Sequence, residues 1–339
     1  MSATVSLPFF GGELSSFDGA NDSVIEDTTA GTFNATYSRC ALSASGGFAY
    51  ARSPVWASAS AFWFHSVFTA YLGYVFGVTG PMLYFYSGST VIAQLVVSVS
   101  YSSATMQLQT LQSGVMTNVA GTIAFAGGTL YTLDINLGAG ASGSASLYIN
   151  GAQQVSVTGL NHSAWTGVTQ VVVSGADGGA ADYQATSWWS QVICDSSSTL
   201  NRYLITTTFT NESATNNQWS GAGGANNLAN IGNTSLSDAT YISAASSGLT
   251  DTFYESGLSL TGYYIMAVGV AARARVQGSG PANIKMAIRV SSANYVSPQF
   301  TLTPGFTAIT YAWTNNPALS GPWSPVAAAA IEVGVQSVT

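Results

Sequence analysis

The 339 residues exceed what one ordinary sandwich needs and suit two medium domains. Charged residues are 6% of the chain and aromatics 12%, which is too apolar for disorder and too weakly charged for a lone cytosolic monomer. The net charge is −7 with only seven Lys and Arg, and this excludes generic nucleic-acid binding, since phosphate neutralisation needs clustered cations.

Along the chain, helix signals are sparse and strand signals are dense: short Val, Ile, Tyr, Phe and Thr runs divided by Gly, Asn, Pro and Ser. The fold class expected is all-β, with two β-sandwich (jelly-roll) domains in tandem. Residues 1–12, "MSATVSLPFFGG", read as an apolar arm ended by a Gly pair. Turn chemistry follows at Asp18-Gly19 and Asn21-Asp22. The acids Asp18, Asp22, Glu26 and Asp27 are weak Ca²⁺ candidates, because that ion prefers clustered oxygen ligands, but their spacing is not that of an EF-hand loop.

Residues 55–78 contain no Lys, Arg, Asp or Glu. Length and charge alone would allow a membrane helix. The Ser, aromatic and β-branched content, with Gly73 and Gly77, reads instead as two buried strands joined by a turn, so no membrane insertion is expected. Further strands are expected near 82–87, 91–101, 105–111 and 129–137. The clearest hairpin is 144–157, where Asn150-Gly151 supplies the two positive-φ positions of a type I′ turn. Its alternation puts Ala145, Leu147 and Ile149 on one face. "GAGASG" at 138–143 matches a dinucleotide fingerprint literally, but a strand follows it where a helix is required. The strands 168–175 and 187–195 close the first half. A polar stretch after Asp195 places the boundary so that 13–198 is one domain and 199–339 the second. In the second half, 211–235 reads as a long Gly/Asn-rich loop, and the Ala run at 327–330 is the best helical candidate.

Catalytic material is scarce. His65 sits in an apolar run and reads as a hydrogen-bonded core residue; His162 reads as a loop residue. Glycoside hydrolysis needs two flanking carboxyls, and no strand carries a Glu-x-Asp-x-Glu pattern. The expectation is no enzyme, no catalytic residue and no cofactor. Trp188 and Trp189 are adjacent on a strand, so one faces the core and one faces out; the outer one is a candidate for stacking on a sugar or packing on a subunit. Arg273 and Arg275 share one face of a strand, and Lys285 and Arg289 share a face of the next. If the Gly278–Asn283 turn makes a hairpin of them, four of the seven basic residues form a stripe. That stripe is either a solvated outer face or a dock for an acidic neighbour. Cys40 and Cys194 read as buried free thiols, one bridge being the other option.

The segments "FDGANDSV" (17–24), "FWFHSVF" (62–68), "LYINGAQQV" (147–155) and "WWSQVICD" (188–195) resemble, in that order, laminin-G-like, concanavalin-type jelly rolls. The Asp-x-x-Tyr-Ile-Ser segment in 238–258, the Ala-Arg-x-Arg strand in 267–302 and the Trp-rich 312–338 resemble a module of tailed-bacteriophage structural proteins. The resemblance implies a virion component assembled in the bacterial cytoplasm: a capsid decoration or head fibre first, a tail fibre or tail tip second. Partners implied are further copies of the chain, a trimer among the options, other virion proteins and a host-surface glycan. The alternative is a glycan- or receptor-binding adhesin of the virion, and after it a polysaccharide depolymerase.

Overall fold

The computed structural model describes residues 9–11, 19–20, 24–27, 41–45, 50–72, 78–99, 103–177, 184–199, 214–221, 227–231, 240–254, 260–262 and 264–339. They are nearly all β, as expected. Two compact units divide the chain, Met1–Thr206 and Thr207–Thr339.

The strands of the first unit are β1 (Phe9–Gly11), β2 (Gly19–Ala20), β3 (Val24–Asp27), β4 (Ala41–Ser45), β5 (Tyr50–Arg52), β6 (Ala61–Leu72), β7 (Val78–Ser87), β8 (Thr90–Val99), β9 (Ala104–Gln112), β10 (Val115–Asn118), β11 (Ile123–Phe125), β12 (Tyr131–Gly138), β13 (Gly140–Ile149), β14 (Ala152–His162), β15 (Gln170–Ser174), β16 (Ala176–Asp177) and β17 (Gln184–Asp195). Among the described residues they make two antiparallel sheets. One runs β14-β13-β12-β6-β17-β4-β3, with β1 and β16 also on β17; the other runs β10-β9-β8-β7-β15-β5-β2, with β11 on β9. The charge-free 55–78 stretch is thus the long central strand β6 and the start of β7, and among the described residues no helix is long and apolar enough to cross a membrane. The opening acidic stretch passes from β2, at the edge of the second sheet, to β3, at the edge of the first.

Inward-facing aromatics lock the sheets together. Phe85 of β7 meets Phe62 and Phe64 of β6 edge to face, with centroids 5.9 and 5.7 Å apart, the geometry that aligns a ring edge with a neighbour's negative face. Trp189 of β17 lies 4.5 Å from Phe68. Period-2 alternation carries the rest: Ala93, Leu95, Val97 and Val99 of β8 and Ala104, Met106 and Leu108 of β9 are all buried.

The 144–157 hairpin forms as its sequence requires. Asn150 and Gly151 have φ of 51° and 76°, and Ala145, Leu147 and Ile149 face the core. The Asn150 side chain also accepts from the Thr132 N–H at 2.9 Å, tying the turn to β12. "GAGASG" is the β12–β13 connection.

The second unit holds β18 (Ser220–Gly221), α1 (Asn227–Ile231), β19 (Ile242–Ser243), β20 (Thr250–Tyr254), β21 (Val268–Ala274), β22 (Asn283–Val290), β23 (Ala293–Val296), β24 (Phe300–Thr301), β25 (Thr307–Trp313), α2 (Pro325–Ala329) and β26 (Glu332–Val338). Its main sheet runs β20-β26-β22-β23, with β24 on β22. The Ala run does become a helix, started by the Ser324 side chain accepting from Ala327 N–H and by Pro325 in the first turn. The 211–235 stretch is not loop throughout: α1 and β18 lie in it. There Asp251, buried, accepts from the N–H groups of Gln218 and Trp219 at 2.6 and 3.0 Å and from the Asn227 amide at 2.5 Å.

The expected β21–β22 hairpin is not formed. β21 pairs with β25 over Val268–Ala274, while β22 pairs with β26, β23 and β24. The connection is too long for a tight turn, and the Val276 N–H is taken by Thr303 O at 2.9 Å, which turns the chain toward β25.

Candidate functional site: the outward face of the second sheet

The register of the second sheet aligns side chains from six strands on the face away from the aromatic core, polar on five of them and a buried valine, Val172, on β15. Arg52 on β5 lies opposite Val172 on β15, Val172 opposite Tyr84 on β7, Tyr84 opposite Gln94 on β8, Gln94 opposite Gln109 on β9, and Gln109 opposite Asn118 on β10. Five interstrand steps span about 24 Å at ~4.8 Å each. Gln170 and Tyr86 form the next pair along β15 and β7. On the other side, Val96 pairs with Gln107, and Thr79 donates to Ser98 at 2.7 Å.

The amides are held by each other. Gln94 Nε2 donates to Gln109 Oε1 at 2.6 Å, and Gln109 Nε2 to Asn118 Oδ1 at 2.7 Å. Gln107 Nε2 donates to Ala120 O at 3.1 Å and Gln170 Nε2 to Ser53 O at 2.7 Å. Each amide keeps unused donor and acceptor positions, now at fixed orientations. At one end the Arg52 guanidinium lies 4.6 Å over the Tyr50 ring, a cation–π contact that holds it while leaving it charged. In the centre, Tyr84 and Tyr86 stand with ring centroids 6.4 Å apart. Burial, and then the neighbouring Tyr86, push the Tyr84 phenol above its ordinary value, so it keeps its proton at neutral pH.

The face can bind hydroxyl-rich ligands through amides, stack them on phenol rings, and pair one anion at Arg52. Sequence reading missed it. Its members are scattered from residue 52 to 172, and the strand pairing alone joins them. The alternation of Gln94 with Leu95, and of Gln107 and Gln109 with Leu108, is the trace that was present.

The sequence-predicted candidates lie elsewhere. Trp189 is fully buried, and its Nε1–H donates to Ser187 Oγ at 2.7 Å; it is a core residue and not a ligand contact. The side chain of Trp188 lies outside the described residues. Asp18 and Asp22 also lie outside them; Glu26 and Asp27 belong to β3, but their side chains are not described. Arg273 and Arg275 flank Phe306, 5.7 and 4.7 Å over its ring, while Lys285 and Arg289 sit on β22, opposite Gln336 and Glu332 of β26. The four-cation stripe is therefore not formed, because the two strands belong to different sheets.

The histidines are structural. His65 Nδ1 meets Asp134 Oδ1 at 2.9 Å, both buried. The Thr199 hydroxyl donates to Asp134 at 2.7 Å, and among the described residues His65 Nε2 has no hydrogen-bond partner, so no described hydroxyl is bonded to this histidine as a nucleophile would be. His162 is no loop residue. It ends β14, buried, with Nδ1–H donating to Gly138 O at 2.7 Å and Nε2 accepting from Thr110 at 3.0 Å. Burial holds its pKa below the ordinary value, against the opposing bond to Gly138.

No family model matches the sequence, and no curated protein matches it. Among solved structures, the chain is similar to an endo-β-1,4-glucuronan lyase from the fungus Trichoderma reesei, with TM-score 0.43, 9% identity, and coverage of 56% of this chain and 95% of that one. It is similar to the alginate lyase Aly36B (TM-score 0.40, 11% identity, 56% and 97% covered) and to an alginate lyase from Klebsiella pneumoniae (0.38, 9%, 54% and 95%). The solved structures it is similar to are polysaccharide lyases, at variance with the sequence-based expectations of a structural phage component acting by assembly and of no enzymatic role. The weak charge that suggested surfaces covered by neighbours has a second physical source, a sheet face built from neutral amides and hydroxyls.

Proposed function

We propose that the first unit acts on a polysaccharide that lies along the outward face of its second sheet and is cleaved there by elimination at a uronate. The observation that supports this reading is the ordered row Arg52–Tyr84–Gln94–Gln109–Asn118. Hydrolysis needs two carboxyls flanking the bond, and the side chains described on this face include none. Elimination needs other groups. A cation neutralises the uronate carboxylate and so acidifies the adjacent C–H; Arg52 has that role. A base takes that proton, the bond to the glycosidic oxygen breaks, and an acid protonates the leaving oxygen, leaving an unsaturated sugar. Phenols perform both proton transfers in enzymes. Tyr84, which keeps its proton at neutral pH, suits the acid. On this reading the chain is two tandem β-sandwiches, the first bearing the chemistry.

The test is incubation of the full chain with acidic and neutral polysaccharides, following ultraviolet absorbance of unsaturated product. Tyr84→Phe is expected to lower the rate by about 100-fold or more while polymer binding persists. Arg52→Gln is expected to weaken binding of acidic polymer. Absence of unsaturated product with every uronate-containing polymer, or full activity of both variants, overturns the reading.

A further inference from the structure

The amide row also selects among polysaccharides. We infer that this face takes a sparsely charged heteropolysaccharide, in which uronates are separated by neutral sugars, and discriminates against homopolymers of uronate. The inference rests on the proposed function of the same face.

Charge is the first argument. The first unit, Met1–Thr206, contains three basic residues, Arg39, Arg52 and Arg202, and nine acids. Its formal charge is therefore 3 − 9 = −6. A polyanion with a carboxylate on every sugar approaches such a unit against its field, and a unit of that sign offers little to offset the repulsion.

Geometry is the second. Across the row of about 24 Å, Arg52 is the single cation among the described residues and stands at one end. From Tyr84 onward the row is neutral: Gln94, Gln109 and Asn118 donate to one another in a single direction. Sugar hydroxyls can both donate to and accept from amides so fixed. A carboxylate is acceptor-only, and each one placed there gives up water without meeting a counter-charge. One acidic sugar at Arg52 with neutral sugars along the amides satisfies every position.

The experiment measures binding of the full chain at low ionic strength to gellan, whose uronates are separated by neutral sugars, to alginate and glucuronan, which are uronate throughout, and to cello-oligosaccharides, which are neutral. The expected order is gellan above both uronate homopolymers by roughly tenfold, with the gap narrowing in salt as the repulsion is screened. Arg52→Gln is expected to bring gellan down to the level of the neutral oligosaccharides. Alginate or glucuronan bound as tightly as gellan at low salt overturns the inference and leaves the proposed function standing. Binding to none of the polymers overturns both.

Discussion

Trp189 separates a core role from a ligand role by measurement. Its indole is fully buried, packs 4.5 Å from Phe68 and 6.2 Å from Phe64, and donates to Ser187 Oγ, which itself donates to Ser174 O at 2.7 Å. Trp189→Ala removes a large side chain between two sheets whose Phe neighbours are fixed by other rings. The expected cost is ~4 kcal/mol, within the range for Trp-to-Ala in cores. Trp189→Phe keeps most of the bulk and loses the N–H bond to Ser187, with an expected cost of about 1–2 kcal/mol. With a urea slope near 2 kcal/mol/M, the Ala change moves the unfolding midpoint by about 2 M and the Phe change by under about 1 M. The assay is urea unfolding followed by far-ultraviolet circular dichroism, beside polymer binding of Trp189→Phe. Unchanged binding by Trp189→Phe is expected. Near-native stability of Trp189→Ala, or loss of binding in a stable Trp189→Phe, refutes the core assignment.

Three further outcomes follow from single contacts. A Cβ at Gly143 would meet His162 Nδ1 and stand 2.6 Å from Gly138 O, so Gly143→Ala is expected to lower stability by ~1–3 kcal/mol in denaturant unfolding. Glu332 is raised by burial but brought below its ordinary value by bonds from Thr215 and Thr252 and by Arg289. Its stabilisation is therefore complete above the unfolded carboxylate pKa and lost as pH falls through the lower folded one. Acid titration of the unfolding midpoint is expected to lose that component in Glu332→Gln. Cys194 is a buried free thiol, pushed well up by burial and then by Asp195; mass spectrometry after a thiol reagent is expected to find it modified only in denaturant.

The legible parts of the fold were those set by nearest neighbours in sequence. Asn150-Gly151 dictates its own turn, and the alternation of β8 and β9 dictates which side chains go inward. The two tryptophans show where that logic ends. Between Ser190 and Ile193 the register of β17 slips, with Gln191 at φ 54°. The inward parity thus passes from Trp189 to Val192 and Cys194, both fully buried. Counting alternate residues back from Cys194 would have chosen Trp188 as the core residue. β-Bulges of this kind leave no certain mark in composition. The candidate site was less legible still, since its row is a consequence of pairing strands far apart in sequence, and Gln and Tyr carry no motif.

The same row gives another meaning to the low charge of the chain. A sheet face facing solvent must satisfy its polar side chains without burying them, and charged residues are the usual means. Here Gln94, Gln109 and Asn118 satisfy each other laterally, as Thr79 and Ser98 do, at little desolvation cost because no ion is involved. Such a ladder is held at its centre, since moving Gln109 breaks bonds on both sides. A neutral array so held offers fixed donors and acceptors to a ligand that is itself neutral and hydroxylated, and the ordering cost of those side chains is met on folding, not on binding. Single replacements in the ladder should therefore weaken polymer binding more than they weaken the fold. Gln109, bonded on both sides, is where that difference should be largest: Gln109→Ala frees both neighbours to water at a cost of about 1 kcal/mol or less to unfolding, while the array it leaves has lost its order. Equal loss of stability and no loss of binding would show the ladder to be structural alone.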